Sequence, residues 1–261
     1  MKSLDMPRIA SLEAFARAAA RFEITELELM IEPSAGAAVR RSLDQSGLLL
    51  LGETHGVSEN PLIIRALMQA FGLGGLALEW PGDLMGVISA FVAGGVLTDH
   101  PLLWLGDGRI TAGHLAVVRE RARAGQLDLA LFDGVAGADW GMSQREEAMA
   151  GQILAGATAA SGTLAVAGNA HTPTSPASWG IPLGACLSRQ RPGVLDIRIK
   201  YGRGGYYSMR PSQIYPSISI WPSQTRLYQE DGSLILELPT ATEAIVPHRP
   251  GPWPQFSRKA L

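Results

Sequence analysis

The chain has 261 residues, 46% of them hydrophobic and 18% charged, with a formal net charge of −2. So small a net charge gives no general electrostatic case for a nucleic-acid partner or an anionic membrane surface. The single cysteine, Cys186, excludes an internal disulfide framework and any multi-cysteine metal site.

The opening stretch, MKSLDMPRIASLEAFARAAARF, carries charges throughout and lacks the apolar run of a secretion signal. No segment approaches the roughly 20 apolar residues of a membrane span, so a cytoplasmic protein without a membrane partner is expected. SLEAFARAAARF predicts a first helix and AAVRRSLDQ a short second one. GLLLLG is too short and too apolar for an amphipathic helix and predicts a buried strand. NPLIIRALMQAFG then reads as a helix capped by Asn60, with Pro61 in its first turn and Gly72 at its end.

GLALEW, closed by Pro81, is a second strand; DLMGVISAFVAGG and TAGHLAVVRERARAG are helical; LDLALFDG is a third strand. SQREEAMAGQILAGA places Ser143 and Glu146 in the spacing of a capping box and so predicts another helix. TLAVAGN is a fourth strand. Buried strands alternating with helices predict an α/β fold, with a mainly parallel central sheet flanked by helices.

From about residue 190 the segments GVLDIRIKY, GGYYSM, SISIW, TRLYQ and SLILELP are strand-like, with QEDGS as a hairpin turn. This third is expected to extend the sheet in antiparallel fashion. Four prolines predict an irregular tail over 241–261. A single domain over 1–261 is expected, with a β-rich part at about 190–240.

The ionisable residues fall at the ends of the apolar runs. Glu53 and His55 follow the first strand, Glu79 closes the second, Asp133 the third, and Asn169 and His171 the fourth. In a parallel sheet these ends share one edge, where ligands bind. Glu59 is a further candidate, equally suited to the first turn of the following helix. Arg145 shares a helical face with Ala148, Met149, Gln152 and Ile153, so it should point inward. A buried arginine in a first turn needs a carboxylate, and Glu53, Glu79 and Asp133 are the candidates. His100, His114 and His248 read as structural, and Cys186 as a small hydrophobe. Tyr206, Tyr207, Tyr215 and Trp221 suit either a pocket wall or ordinary strand packing. The chain has no glycine-x-serine-x-glycine elbow, which disfavours an α/β-hydrolase.

GETH (52–55), LALEW (76–80), SQREEAM (143–149) and GNAH (168–171) occur in an order that resembles one superfamily. It joins erythromycin esterases, ChaN-like haem-uptake proteins and Tiki/TraB-type metalloproteases. The resemblance covers about residues 47–172 and implicates Glu53, His55, Glu79, Arg145 and His171. It implies a hydrolase that activates water to cleave an ester or amide of a small molecule or peptide. His55 would be the base, Glu53 or Glu79 would orient it, and His171 with Arg145 would stabilise the oxyanion or hold an acidic substrate group. One variant uses the same residues, with Glu53, His55, Glu79 and His171 holding a divalent metal such as zinc, manganese or cobalt. Two alternatives differ in kind: the chain binds haem or another cofactor, with His55 or a tyrosine on the iron, or it performs non-hydrolytic tailoring chemistry in a biosynthetic pathway.

Overall fold

The computed structural model describes residues 9–134, 141–157, 159–214 and 223–249. Its helices are α1 (Leu12–Arg21), α2 (Pro33–Ser46), α3 (Asn60–Phe71), α4 (Met85–Val92), α5 (Ala112–Arg123), α6 (Met142–Gly156) and α7 (Leu183–Gln190). Its strands are β1 (Leu29–Ile31), β2 (Leu48–Glu53), β3 (Gly75–Pro81), β4 (Asp128–Asp133), β5 (Thr163–Gly168), β6 (Leu195–Ser208), β7 (Arg210–Ile214), β8 (Thr225–Glu230) and β9 (Ser233–Ala241). Among the described residues these strands form one sheet in the order β1-β8-β9-β6-β2-β5-β3-β4, with β7 paired to β6. No helix there is long and apolar enough to cross a membrane.

The four leucines of GLLLLG are wholly buried, because both faces of β2 are covered. Leu49 and Leu51 join one core with Ile63, Ile64, Leu67 and Met68 of α3. Leu48 and Leu50 join the other with Met149 and Ile153 of α6 and Leu187 of α7. Ala70, aligned with the inward face by periodicity, is exposed; Met68 takes that place. Helix α2 begins earlier than its alanine run suggests, since Pro33 presets the first turn.

Strands β2, β5, β3 and β4 are mutually parallel, so their C-terminal ends lie along one edge. From β2 the chain leads through α3 to β3, whereas from β5 it leads through α7 across to β6, on the other side of β2. The connections diverge at the β2–β5 pair, the position where open parallel sheets form a crevice.

The C-terminal third extends the sheet as expected, through the antiparallel pairs β6–β7 and β8–β9. β6 pairs in parallel with β2 and with β9. The reason is connectivity, because β7 and β8 intervene between β6 and β9 and return the chain to the same direction. The other pairing of this region among the described strands, β1 with β8, is also parallel. GVLDIRIKY and GGYYSM form one continuous strand, not two, with Gly204 at φ 133. The QEDGS turn forms as expected, with Asp231 and Gly232 both at positive φ, as the tightest hairpin turns require. SISIW, Tyr215 and Trp221 lie outside the described residues. The first residue assigned to the tail, Ala241, instead ends β9, and Ala244 and Val246 beyond it are buried.

Candidate functional site

The turn after β2 is fixed before any chemistry is considered. Thr54 donates its backbone N–H to the Tyr201 hydroxyl at 3.0 Å, and that hydroxyl donates to Asn60 Oδ1 at 2.8 Å. Asn60 Nδ2 donates in turn to the Thr54 carbonyl at 2.9 Å. Asn60 is therefore a buried brace at the start of α3, not the cap read from the sequence. Its neighbour Gly56, at φ 77, lies so close to Tyr207 that a Cβ would sit 1.8 Å from the Tyr207 carbonyl oxygen. Only glycine fits there.

His55 projects from this turn. Its Nδ1 donates to Glu53 Oε1 at 3.0 Å, and its Nε2 lies 3.6 Å from Glu79 Oε2. A second couple approaches from β5 and α6. His171 Nδ1 lies 2.8 and 2.9 Å from the two oxygens of Glu146, and its Nε2 lies 3.7 Å from Glu79 Oε1. Two carboxylate-held imidazoles thus turn their outer nitrogens towards one carboxylate. Gly168 makes the convergence possible. Its N–H donates to Glu79 Oε2 at 2.8 Å, and a Cβ on it would stand 3.2 Å from His55 Nε2.

The cationic side of the cluster comes from Arg109 and Arg145. Each places a guanidinium nitrogen 3.5 Å from Glu79 Oε1, and both pair with Asp133. Arg145 thus finds Asp133 and Glu79 among its three candidate partners, and not Glu53. Arg109 is further held by Asp107 at 2.7 Å, and its backbone carbonyl accepts from the Trp80 indole at 2.9 Å.

These contacts set the charge states. Burial opposes ionisation of Glu79, but His55, Arg109, His171 and the Gly168 N–H outweigh it and hold the carboxyl at about 2. Burial likewise opposes the charge on Glu53, and the facing His114 imidazole and the bond to His55 overcome this and lower its pKa. For His55, desolvation favours the neutral ring; the bond to Glu53 and the charges of Glu79 and Glu53 win, and its pKa is raised. Arg109 stays charged, raised by Glu79, Asp107 and Asp133 against the cost of burial.

Of the residues expected at the site, the structure brings together Glu53, His55, Glu79, Arg145, His171 and Asp133. Two it does not. Glu59 Oε2 accepts the backbone N–H of Thr242 at 2.9 Å and anchors the C-terminal segment. Asn169 packs its amide over Gly52 and reaches Thr54 Oγ1 at 3.4 Å, outside the cluster. Sequence reasoning missed three members. Glu146 was assigned to a capping box with Ser143, but the helix starts at Met142 and Gln144 closes on Gly141, leaving Glu146 free to turn inward. Arg109 sits in a loop between elements, and its one signal is the aspartate two residues before it. His114, read as structural, lies in α5 with its Nε2 3.8 Å from Glu53 Oε2. His100 and His248 do keep to structural positions, at a helix N-terminus and against Tyr207. Tyr207 packs there, away from the cluster.

The donor set does not fit a divalent metal. Among the described residues no group of three or more His, Cys, Asp or Glu is disposed to hold one. Glu53, one of the four expected ligands, is committed to His55 Nδ1. A divalent ion on Glu79 Oε1 would stand against two guanidinium groups, each repulsion costing about 8 kcal/mol at about 4 Å and an effective dielectric of about 20. An open cleft of about 840 Å³ is lined by Gly74, Asp128 and Ser161 at the opposite ends of the strands, away from this chemistry.

No family model and no curated protein matches the chain. A crystal structure of a protein from Bacillus cereus is similar in fold, with a TM-score of 0.52 over 92% of this chain and 100% of that one. At 8% sequence identity the likeness concerns the fold alone.

Proposed function

We propose that the protein is a hydrolase in which His55 activates water against the ester or amide carbonyl of a small molecule or peptide. The observation that carries this reading is the His55 couple. Nδ1 is committed to a buried carboxylate, which leaves Nε2 as the nitrogen that can take a proton. The water oxygen bonds to the carbonyl carbon while one of its protons passes to His55 Nε2. Arg145, with a side chain 20% exposed, donates to the oxygen that becomes negative. When the carbon–oxygen or carbon–nitrogen bond breaks, His171 Nε2 supplies a proton to the departing alcohol or amine. That proton is restored from His55, leaving acid and alcohol or amine as products. Glu79 keeps both imidazoles facing the reacting centre by its charge.

The superfamily resemblance of the GETH, LALEW, SQREEAM and GNAH segments supports the same reaction class. The test is a panel of small esters and amides with wild type and His55→Gln. A general base contributes about 10²–10⁴-fold, so the variant should lose that much kcat on any substrate the wild type cleaves. A variant as active as wild type refutes the assignment.

A further inference from the structure

The His55 couple has a third member. Glu53 is 3% exposed, and its Oε2 is buried without a hydrogen-bond partner. A carboxylate oxygen in that position is costly unless something positive or donating faces it. Facing it is the imidazole of His114, with Nε2 at 3.8 Å, within ion-pair reach and longer than a hydrogen bond.

The ring of His114 is not free to turn. Its Nδ1 lies 2.9 Å from Thr111 Oγ1, the hydroxyl that also accepts the His114 backbone N–H at 3.1 Å and caps α5. The hydroxyl can accept that backbone N–H and donate to Nδ1, and this arrangement puts the ring proton on Nε2, towards the carboxylate oxygen of Glu53, which only accepts. Trp80 meets the ring edge-on, with centroids 6.2 Å apart, and His114 itself is 2% exposed. A histidine so fixed, at the far oxygen of the carboxylate that holds His55, does more than fill space.

We propose that His114 is a positioning residue for His55, holding Oε2 of Glu53 so that Oε1 stays on His55 Nδ1 and drawing off part of the carboxylate's charge. The second effect has a definite sign. The imidazolium of His55 is stabilised by Glu53 and Glu79 and destabilised by Arg109. His171, on the far side of Gly168, is the other titratable ring near Nε2. A donor on Oε2 competes with His55 for the Glu53 charge, so it tempers the rise in the His55 pKa. Without His114 the carboxylate binds the imidazolium more strongly, and His55 becomes a base only at higher pH. This inference rests on the reading of His55 as the base, yet it can be tested without a substrate.

The experiment is an NMR titration of histidine rings in ¹⁵N-labelled wild type, His114→Phe and His114→Gln. In wild type the His114 ring should carry its proton on Nε2; a bare Nε2 overturns the proposal whatever the variants do. His114→Phe should raise the His55 pKa by about half to one unit. His114→Gln retains an N–H donor and should return most of that shift. An unchanged or lowered His55 value in a folded His114→Phe protein overturns the proposal, as does a glutamine variant that behaves like phenylalanine. If the ring shifts follow this pattern and no ester or amide is cleaved, the hydrolase reading fails while the triad of residues stands.

Discussion

Glu79→Gln isolates the charge on which both imidazoles converge. The glutamine carbonyl can still accept the Gly168 N–H, so the shape is kept and the charge is removed. The wild-type carboxyl is held at about 2 against an ordinary 4.5. At about 1.4 kcal/mol per unit, the ionised form contributes about 3 kcal/mol to stability at neutral pH. A carboxyl with a lowered folded value contributes stability that is fully present above its unfolded value and lost as pH falls through its folded one. The window is therefore from pH 4.5 down to about 2. Glutamine has no such window. Urea unfolding of both proteins should show the variant about 3 kcal/mol less stable near neutral pH, equivalent to about 6–12 °C in Tm for a domain of this size. The gap should shrink below pH 4.5 and close near pH 2. A gap that is constant across that range would mean that shape, not charge, was lost. A glutamine variant more stable than wild type at neutral pH would mean that desolvating the cluster costs more than its pairing returns, and would refute the reasoning.

The raised His55 value means that its pairing stabilises the fold below the ordinary value of 6.5 and ceases to do so as pH rises through the folded value. The same sign makes the base form an alkaline species, so kcat/KM for any cleaved ester should climb on the alkaline side of 6.5; a rate that falls there contradicts the role. Glu146→Gln leaves Leu183 N–H and His171 competing for one carbonyl oxygen in a wholly buried position, at a cost of about 1–3 kcal/mol in urea unfolding. It should also change the ring tautomer of His171 by ¹⁵N NMR. Gly168→Ala places a methyl 3.2 Å from His55 Nε2 and 3.5 Å from His171 Cδ2, so activity should fall by at least tenfold while Tm moves little. Gly56→Ala, whose methyl would lie 1.8 Å from a backbone oxygen, should lower stability by more than about 3 kcal/mol.

The sheet was legible because β2, β3 and β5 are short apolar runs closed by glycine, proline or polar residues, the pattern that two covered faces impose. Parallel strands then place Glu53, Glu79, Asp133 and His171 on one edge without further information. Arg109 was illegible because loops carry no periodicity, and only the fold brings residue 109 against Glu79 and Asp133. Glu146 and His114 were hidden differently. Glutamate near a helix start has an ordinary explanation as a cap, and a histidine among the buried residues of α5 has one as packing. Both explanations fail only when the partners, His171 and Glu53, are placed in space. The parallel course of β6 and β9 was hidden for the same reason, since alternation along a strand shows its faces and not its direction.

The turn that carries His55 is sewn to distant parts of the chain. Gly56 donates to Gly108 and accepts from both Tyr207 and Ala244, while Ser58 donates to Thr242. Synthesis proceeds from the N-terminus, so GETH leaves the ribosome long before the segments that shape it. The nascent chain can build β2 to β5 and assemble every ionisable residue of the cluster while the turn still lacks three of these four ties. Working geometry arrives only when residues 242–244 have emerged. A chain cut short before that point would carry the whole set of chemical groups and no organised site. An organised turn would thus report that synthesis had passed residue 244.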